Sequence, residues 1–341
     1  MSITIKDVAR RANVSIATVS RVINNKSDGV SDETRKEVLK VASDLGYYPN
    51  RVARGLVTNK TNILGLILPD ITNPFFPSIV RGVEDTANKY GYNIILCNTD
   101  NSSEKEKTYI KILKENKVDG IICTSVAGSN DDSFKLSPND KIPFVWLDRN
   151  LRETKAPMVY TDGVYGMCQI VDYIIKQGHK KIAYISGPKL NFSAEQRFKG
   201  YLKAINEAEI DVNNDLIKEG NYQIQDGNKC MMDIIESGEE FTAVVCANDL
   251  MAIGAIEALK SRGIRIPYDV SVTGYDDITI SSITYPKLTT VAQPIYEMGC
   301  LAVDLLIKLI GGETIEKKEV VLKPELVIRE SVGRVKRNWE I

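Results

Sequence analysis

From Ile63 onward the chain repeats one pattern, a short aliphatic run followed by a helical stretch, and this pattern constrains the fold more than any other feature. The runs are ILGLIL at 63–68, NIILC at 93–97, DGIICT at 119–124, PFVWL at 143–147, KIAYIS at 181–186, TAVVC at 242–246 and VSVTG at 270–274. Helical patterns fall near 76–90, 103–116, 163–178, 195–208, 226–238, 249–263 and 295–310. Strands that read as continuous apolar runs are covered on both faces, and intervening helices make their connections parallel. The alternation resumes beyond residues 155–162, so more than one sheet is expected. The 341 residues also exceed one ordinary core. No G-x-G-x-x-G follows the first run and no G-x-x-x-x-G-K-[ST] occurs, so the phosphate loops of nucleotide-binding sheets are missing.

The first sixty residues differ in kind. They hold 11 Lys/Arg and 6 Asp/Glu, a charge of +5, and leave 33 of the chain's 44 basic and 39 of its 45 acidic residues to the remainder, which carries −6. A basic head on an acidic body points to a polyanion-binding module. Thr4 with Asp7 three residues on is a capping arrangement, and Ile5, Val8, Ala9 and Ala12 mark one helical face. Asn13-Val14 interrupts this helix, and Ser15 caps a second through Thr18, Val19, Val22 and Ile23. Two short amphipathic helices with a tight turn form a helix-turn-helix. A third helix is predicted from Ser31 to Leu45, with Val38, Leu39, Val41, Ala42 and Leu45 inward and Gly46 as its stop.

In this arrangement the second helix turns Ile16, Ala17 and Arg21 outward. Arg21 suits a guanine edge in the major groove, and Ile16 and Ala17 suit a thymine methyl. Thr4, Ser15, Thr18, Ser20 and Asn24 suit phosphate contacts, which fix position without reading sequence. Pro49-Asn50 then starts a further helix of only about seven residues, weakened by Gly55. An isolated helix shorter than roughly 12–15 residues is marginal in water, so this hinge is expected to order only on a partner.

In parallel sheets, ligands bind beyond the carboxyl ends of strands. Here strand 63–68 leads to Asp70 and to Asn73-Pro74-Phe75-Phe76, 143–147 to Asp148-Arg149, 242–246 to Asn248-Asp249, and 270–274 to Tyr275-Asp276-Asp277, while LTTV at 288–291 leads to Gln293. Amides, carboxylates and guanidiniums between aromatic faces suit a polyhydroxylated ring. Asp249 reads instead as a helix cap.

TIKDVARRANVSIATVSRVINN and VSDETRKEVLKVASDLGYYPNRVARGL closely resemble the headpiece of the LacI/GalR (lactose-repressor/galactose-repressor) family. The resemblance implies a hinge helix in the minor groove built on Asn50, Arg51, Ala53 and Arg54, with Leu56 wedged between base pairs. The landmarks GLILPDITNPFF, VWLDRN, QGHKKIAYISGP, EQRFKGYLKAI, CANDLMAIGA, VTGYDD and TTVAQP resemble that family's regulatory domain, and their pattern is most similar to ribose-binding proteins. By position this places Asn73, Phe75, Phe76, Asp148, Arg149, Arg197, Tyr222, Asn248, Asp276 and Gln293 around a sugar.

The expected fold class is therefore an α/β regulatory domain of two doubly wound parallel-sheet lobes, periplasmic-binding-protein-like, preceded by an all-α helix-turn-helix headpiece. Expected divisions are a headpiece over 1–48, a hinge helix and linker over 49–60, a two-lobed effector-binding and dimerisation domain over 61–330 and a tail over 331–341. The N-lobe takes 61–160 plus 291–319, and the C-lobe takes 161–290 plus 320–330. Expected partners are double-stranded DNA with a pseudo-palindromic operator, a small sugar or sugar derivative, ribose-like as the first choice, and a second copy of the chain, with the mixed surface of helix 76–90 at the dimer seam. A catabolite-control-type regulator answering to a phosphorylated carrier protein is the alternative.

His179 is the sole histidine and is remote from the strand-end clusters, which argues against His-dependent hydrolases and against enzymatic activity generally. No cofactor or metal is expected; Asp148, Asp276 and Asp277 would be the carboxylate set, but Arg149 opposes a cation. Six cysteines without a C-x-x-C read as small buried hydrophobes. No apolar run approaches the ~18 residues of a spanning helix and no signal peptide opens the chain, so a cytoplasmic location without membrane association is expected.

Overall fold

The computed structural model describes residues 3–24, 29–48, 60–124, 142–148 and 156–335. The chain divides into two compact units, residues 1–61 and 62–341.

The first unit is all helical: α1 (Ile5–Arg11), α2 (Ile16–Ile23) and α3 (Asp32–Asp44). Thr4 donates its backbone amide and its hydroxyl to Asp7 at 3.0 and 2.6 Å, and Ser15 and Ser31 accept from Thr18 N and Thr34 N at 3.1 and 3.3 Å. Each helix thus starts where its cap was expected. Val8, Ala9, Val19, Val22, Val38, Val41 and Ala42 form the core. Leu39 corrects the expected inner face, being 46% exposed. At about 100° per residue it falls off the stripe of 38, 41, 42 and 45.

The second unit has two lobes. Lobe 1 is a six-stranded sheet in the order β2-β1-β3-β4-β5-β11, built from β1 (Ile63–Leu68), β2 (Asn93–Asn98), β3 (Gly120–Cys123), β4 (Phe144–Leu147), β5 (Met158–Thr161) and β11 (Glu319–Leu322). Every pairing in it is parallel. Its helices are α4 (Phe75–Lys89), α5 (Ser103–Glu115) and α10 (Ile295–Ile310). Lobe 2 is a parallel four-stranded sheet in the order β7-β6-β8-β9, from β6 (Ile182–Ser186), β7 (Ile217–Glu219), β8 (Ala243–Cys246) and β9 (Ser271–Thr273). Its helices are α6 (Gly163–Lys176), α7 (Phe192–Glu207), α8 (Ile224–Glu236) and α9 (Asp249–Ser261). A small antiparallel pair, β10 (Thr290–Ala292) with β12 (Glu325–Val327), completes it.

The fully apolar strands behave as their sequence requires: β3, β4, β6 and β8 are buried along their whole length. The unexpected strands β5, β7, β11 and β12 are only three or four residues long. β7, β11 and β12 lie at sheet edges, keep one side in water and so lack the continuous apolar run, while β5 is interior and mostly buried but only four residues long.

Two expected boundaries shift. β11 pairs with β5, so the strand at 319–322 belongs to lobe 1, not to the C-lobe span of 320–330. Residues 331–335 are not a tail: Ser331 is fully buried, its hydroxyl donating to Val272 O at 2.6 Å and accepting Thr289 N at 2.8 Å. His179 helps to anchor this segment, with Nε2 2.9 Å from Gly333 O and Nδ1 3.0 Å from Thr242 Oγ1. That is a structural place, and burial holds its pKa below the ordinary histidine value. The cysteines are free thiols; Cys97, Cys123, Cys230 and Cys246 are buried, while Cys168 and Cys300 are partly exposed. The chain passes between the lobes three times, after Thr161, after Ala292 and after Leu322.

Candidate nucleic-acid interface and effector cleft

In the head, α2 buries Val19 and Val22 and exposes Ile16, Ala17 and Arg21. No carboxylate partners Arg21 among the described residues, so its guanidinium keeps its fork of donors for a base edge or phosphate. Ser15 and Thr18 hydroxyls lie 2.8 Å apart on the opening turn, and Asn24 Nδ2 donates to Ser20 O at 2.7 Å, closing the helix. Thr4, Ser15, Thr18, Ser20, Arg21 and Asn24 are at least partly exposed. Asn50, Arg51, Ala53, Arg54 and Leu56 lie outside the described residues, as does Arg149 of the body.

In the body, the strand ends of both lobes meet in a cleft of about 620 Å³, open mouth included. Lobe 1 contributes Pro69, Asp70, Asn73, Phe75, Phe76, Asn101 and Asp148 to its wall. Lobe 2 contributes Asn191, Ser193, Arg197, Asn221, Tyr222, Gln223, Asn248 and Asp276. Four lining residues carry left-handed backbone, Asn101 (φ 57°), Asp148 (φ 53°), Tyr222 (φ 63°) and Asp276 (φ 108°), with Asp277 (φ 56°) beside the last. Non-glycine residues adopt this region at a cost. Here it turns the chain sharply beyond the ends of four strands, where these residues line the cleft.

Arg197 is the centre of the floor. It is 4% exposed, donates through Nη1 to Ala247 O at 2.5 Å and pairs through Nη2 with Asp276 Oδ1 at 3.2 Å. Its guanidinium carbon lies 4.1 Å from the Tyr275 ring centroid and 6.0 Å from that of Tyr222. Phe75 and Phe76 meet edge to face at 5.1 Å on the opposite wall.

Gln293 does not line the cleft. It is buried behind Asp276, donating Nε2 to Asp276 Oδ1 at 2.7 Å and accepting the Thr161 hydroxyl on Oε1. It therefore orients Asp276 from two crossing points of the chain. Asn248, not Asp249, caps α9: Oδ1 accepts Met251 N at 3.0 Å and Nδ2 holds Tyr222 O at 3.2 Å. Asp249 is fully buried beneath and fastens Ile278 N, Ser281 Oγ and Thr290 Oγ1 at 2.9, 2.6 and 2.5 Å. This corrects the cap expected there.

Gln223, Asn191, Ser193, Asn221 and Asn101 are cleft residues that sequence reasoning missed. Gln223 Nε2 donates to Asp70 Oδ2 at 3.1 Å, a direct clasp between the lobes. The strand-end rule reaches Asn221 and Gln223 only if β7 is recognised, and Ile217–Glu219 has no apolar run to reveal it.

Three carboxylates here sit above their ordinary range. Burial pushes Asp148 up to about 6 against the attraction of Arg197, and Asp249 up to about 6 against its hydrogen bonds. Burial raises Asp276 to about 7, opposed by Arg197 and reinforced by Asp249 and Asp148. Between pH 6.5 and 8 the folded body thus binds protons that the unfolded chain has released, so stability falls as pH rises. The expected loss over that interval is roughly 1 kcal/mol from Asp276. Urea titrations at the two pH values test it, and a body more stable at pH 8 would contradict it. Below pH 6.5 His179, buried and depressed, contributes with the opposite sign.

Residues 61–329 match the family described as periplasmic binding proteins and sugar binding domain of the LacI family, and residues 4–50 match the bacterial regulatory proteins of the lacI family. The chain belongs to the LacI family. The HTH-type transcriptional regulator RegA of Clostridium saccharobutylicum is 43% identical over 332 residues, 97% of this chain and 99% of that one. A ribose operon repressor of Halalkalibacterium halodurans is 37% identical, covering 96% of each chain. Catabolite control protein A of Priestia megaterium is 38% identical, over 97% of this chain and 99% of its own. The solved lac repressor dimer bound to operator and the anti-inducer ONPF has a TM-score of 0.88 at 29% identity, covering 98% of this chain and 100% of that chain. This LacI-family chain is thus a transcriptional regulator with a helix-turn-helix region and a sugar-binding type of domain. Its relatives are regulators rather than enzymes. Among the described residues, no helix is long and apolar enough to cross a membrane.

Proposed function

We propose that this LacI-family regulator is a homodimeric repressor of a carbohydrate-utilisation operon, released from its operator by a small sugar bound between the lobes. The observation that carries this reading is the cleft itself. Carboxylates from both lobes, asparagines and an arginine held between tyrosine faces converge with Phe75 and Phe76 on one small volume. Such a set accepts from and donates to adjacent hydroxyls while rings cover C–H faces. Asn73, Phe75, Phe76, Asp148, Arg197, Tyr222 and Asp276 share that cleft, which supports a ribose-like ligand as the first choice.

Two headpieces read the half-sites of a pseudo-palindrome, since two-fold protein symmetry imposes two-fold sites. Sugar closing the lobes disfavours the geometry in which the hinge around Leu56 orders on DNA, and by linkage sugar and operator weaken each other equally. Arg21→Ala is expected to weaken operator binding about 10–100-fold, the loss of one bidentate base contact of roughly 1–3 kcal/mol, while barely changing affinity for unrelated DNA. A gel-shift series with both duplexes checks it; equal losses on the two would make Arg21 a phosphate contact only.

The identity to a catabolite control protein favours one second reading, regulation by a phosphorylated carrier protein. Sugar-driven release of operator from the purified protein alone supports the first reading. Release only on adding a phosphorylated carrier supports the second.

A further inference from the structure

We infer that the cleft is built for an electrically neutral polyhydroxylated ring and rejects phosphorylated sugars, sugar acids and nucleotides. This rests on the sugar reading above and narrows its ligand class.

The described lining carries three carboxylates, Asp70, Asp148 and Asp276, and one cation, Arg197. Arg197 is not free to clamp an anion: one arm holds Ala247 O, another holds Asp276, and Tyr275 covers a face. Asp249, fully buried behind the floor, adds a fourth carboxylate, bonded to an amide and two hydroxyls.

The other ready site for an anion, a helix N-terminus, is engaged at three of the four helices that open onto the cleft; α8, which follows Gln223, has no side-chain cap. Asn73 Oδ1 takes Phe75 N of α4 at 3.1 Å, Asn191 Oδ1 takes Ala194 N of α7 at 3.1 Å, and Asn248 Oδ1 takes Met251 N of α9. Each already carries an oxygen acceptor where a phosphate would dock.

The unmet demand is for donors. Beyond the Ser193 hydroxyl, no hydrogen bond reaches the side-chain oxygens of Asp148 among the described residues, and Gln293 and Arg197 both approach the same oxygen of Asp276. An ionised carboxylate only accepts, so the ligand must supply O–H groups. A phosphate or carboxylate at neutral pH brings acceptors and negative charge instead, into a buried site where like charges repel strongly.

The test is calorimetric titration of the full-length protein at pH 7.5 with matched sets: D-ribose, ribose 5-phosphate and ribonate; D-glucose, glucose 6-phosphate and gluconate; and the equivalent galactose and mannose sets. The expected result is that the skeleton that binds does so as the neutral sugar, at least 100-fold tighter than as its phosphate or acid. Asp148→Asn should narrow that gap at least tenfold, which rejection by shape alone would not do. Asp70→Asn, at the more exposed mouth, serves if the first variant fails to fold. A phosphate or acid binding as tightly as its neutral parent overturns the inference and leaves the sugar reading standing. No response from any set at millimolar concentration overturns the sugar reading, and the inference with it.

Discussion

Arg197→Met should lower the unfolding free energy of the body by about 3–5 kcal/mol and abolish release of operator by sugar, with operator binding itself retained. Methionine preserves most of the apolar stem but removes the only cation described within reach of Asp276 and Asp148. It also strips Ala247 O of its donor and Tyr275 of its stacked guanidinium. Asp276 responds by holding its proton to higher pH. The penalty should therefore shrink on acidification, and urea titrations at pH 7.5 and 5.5 separate this electrostatic cause from lost packing. A loss identical at both pH values would assign Arg197 a packing role alone. The head forms its own compact unit, so gel-shift affinity without sugar checks that DNA recognition is retained, and the urea titration itself reports the folding of the body.

Gly254→Val should be the most damaging single-residue change away from any polar group. Gly254 and Gly227 lie where α9 crosses α8: a Cβ at 254 would stand 2.0 Å from Ile224 O, and one at 227 would stand 2.1 Å from Met251 O. Both obstacles are helix backbone, which cannot rotate away, so the helices must separate. Overpacking of this kind costs about 3 kcal/mol or more. Its effect travels directly to the cleft, because α8 begins immediately after Tyr222 and Gln223. Sugar affinity should thus fall together with melting temperature. Gly238→Ala is the control, since a Cβ there meets nothing within 4 Å and the cost is only that of its φ of 75°, about 1 kcal/mol. Equal melting temperatures for the two variants would refute the crossing argument.

The fold was legible wherever burial is complete. β1, β3, β4, β6 and β8 are uninterrupted apolar runs, and each was placed within a residue or two, the helices between them within about three. What escaped were the edges: Ile217–Glu219 and Glu319–Leu322 face water on one side, and their few residues carry no period long enough to detect. The site shows the same division. Asp70, Asp148 and Asp276 follow recognised strands and could be reached by the strand-end rule. Gln223 follows an unrecognised strand and could not. Gln293 was expected around the ligand, but only three-dimensional pairing shows that it faces the back of Asp276 rather than the open side. Asn248 and Asp249 exchanged roles for a similar reason: either could cap α9, and the choice depends on Ser281 and Thr290, which are distant in sequence.

The link from the Thr161 hydroxyl through Gln293 to Asp276 and on to Arg197 has a consequence for how such regulators diversify. Thr161 and Gln293 stand on two of the three straps between the lobes, while Asp276 forms part of the ligand's seat. Chemical taste and mechanical stiffness therefore share one set of atoms. A substitution that retunes the seat for a new molecule also alters how readily the jaws swing, so a change of inducer at this position should seldom leave the dose needed for derepression unaltered.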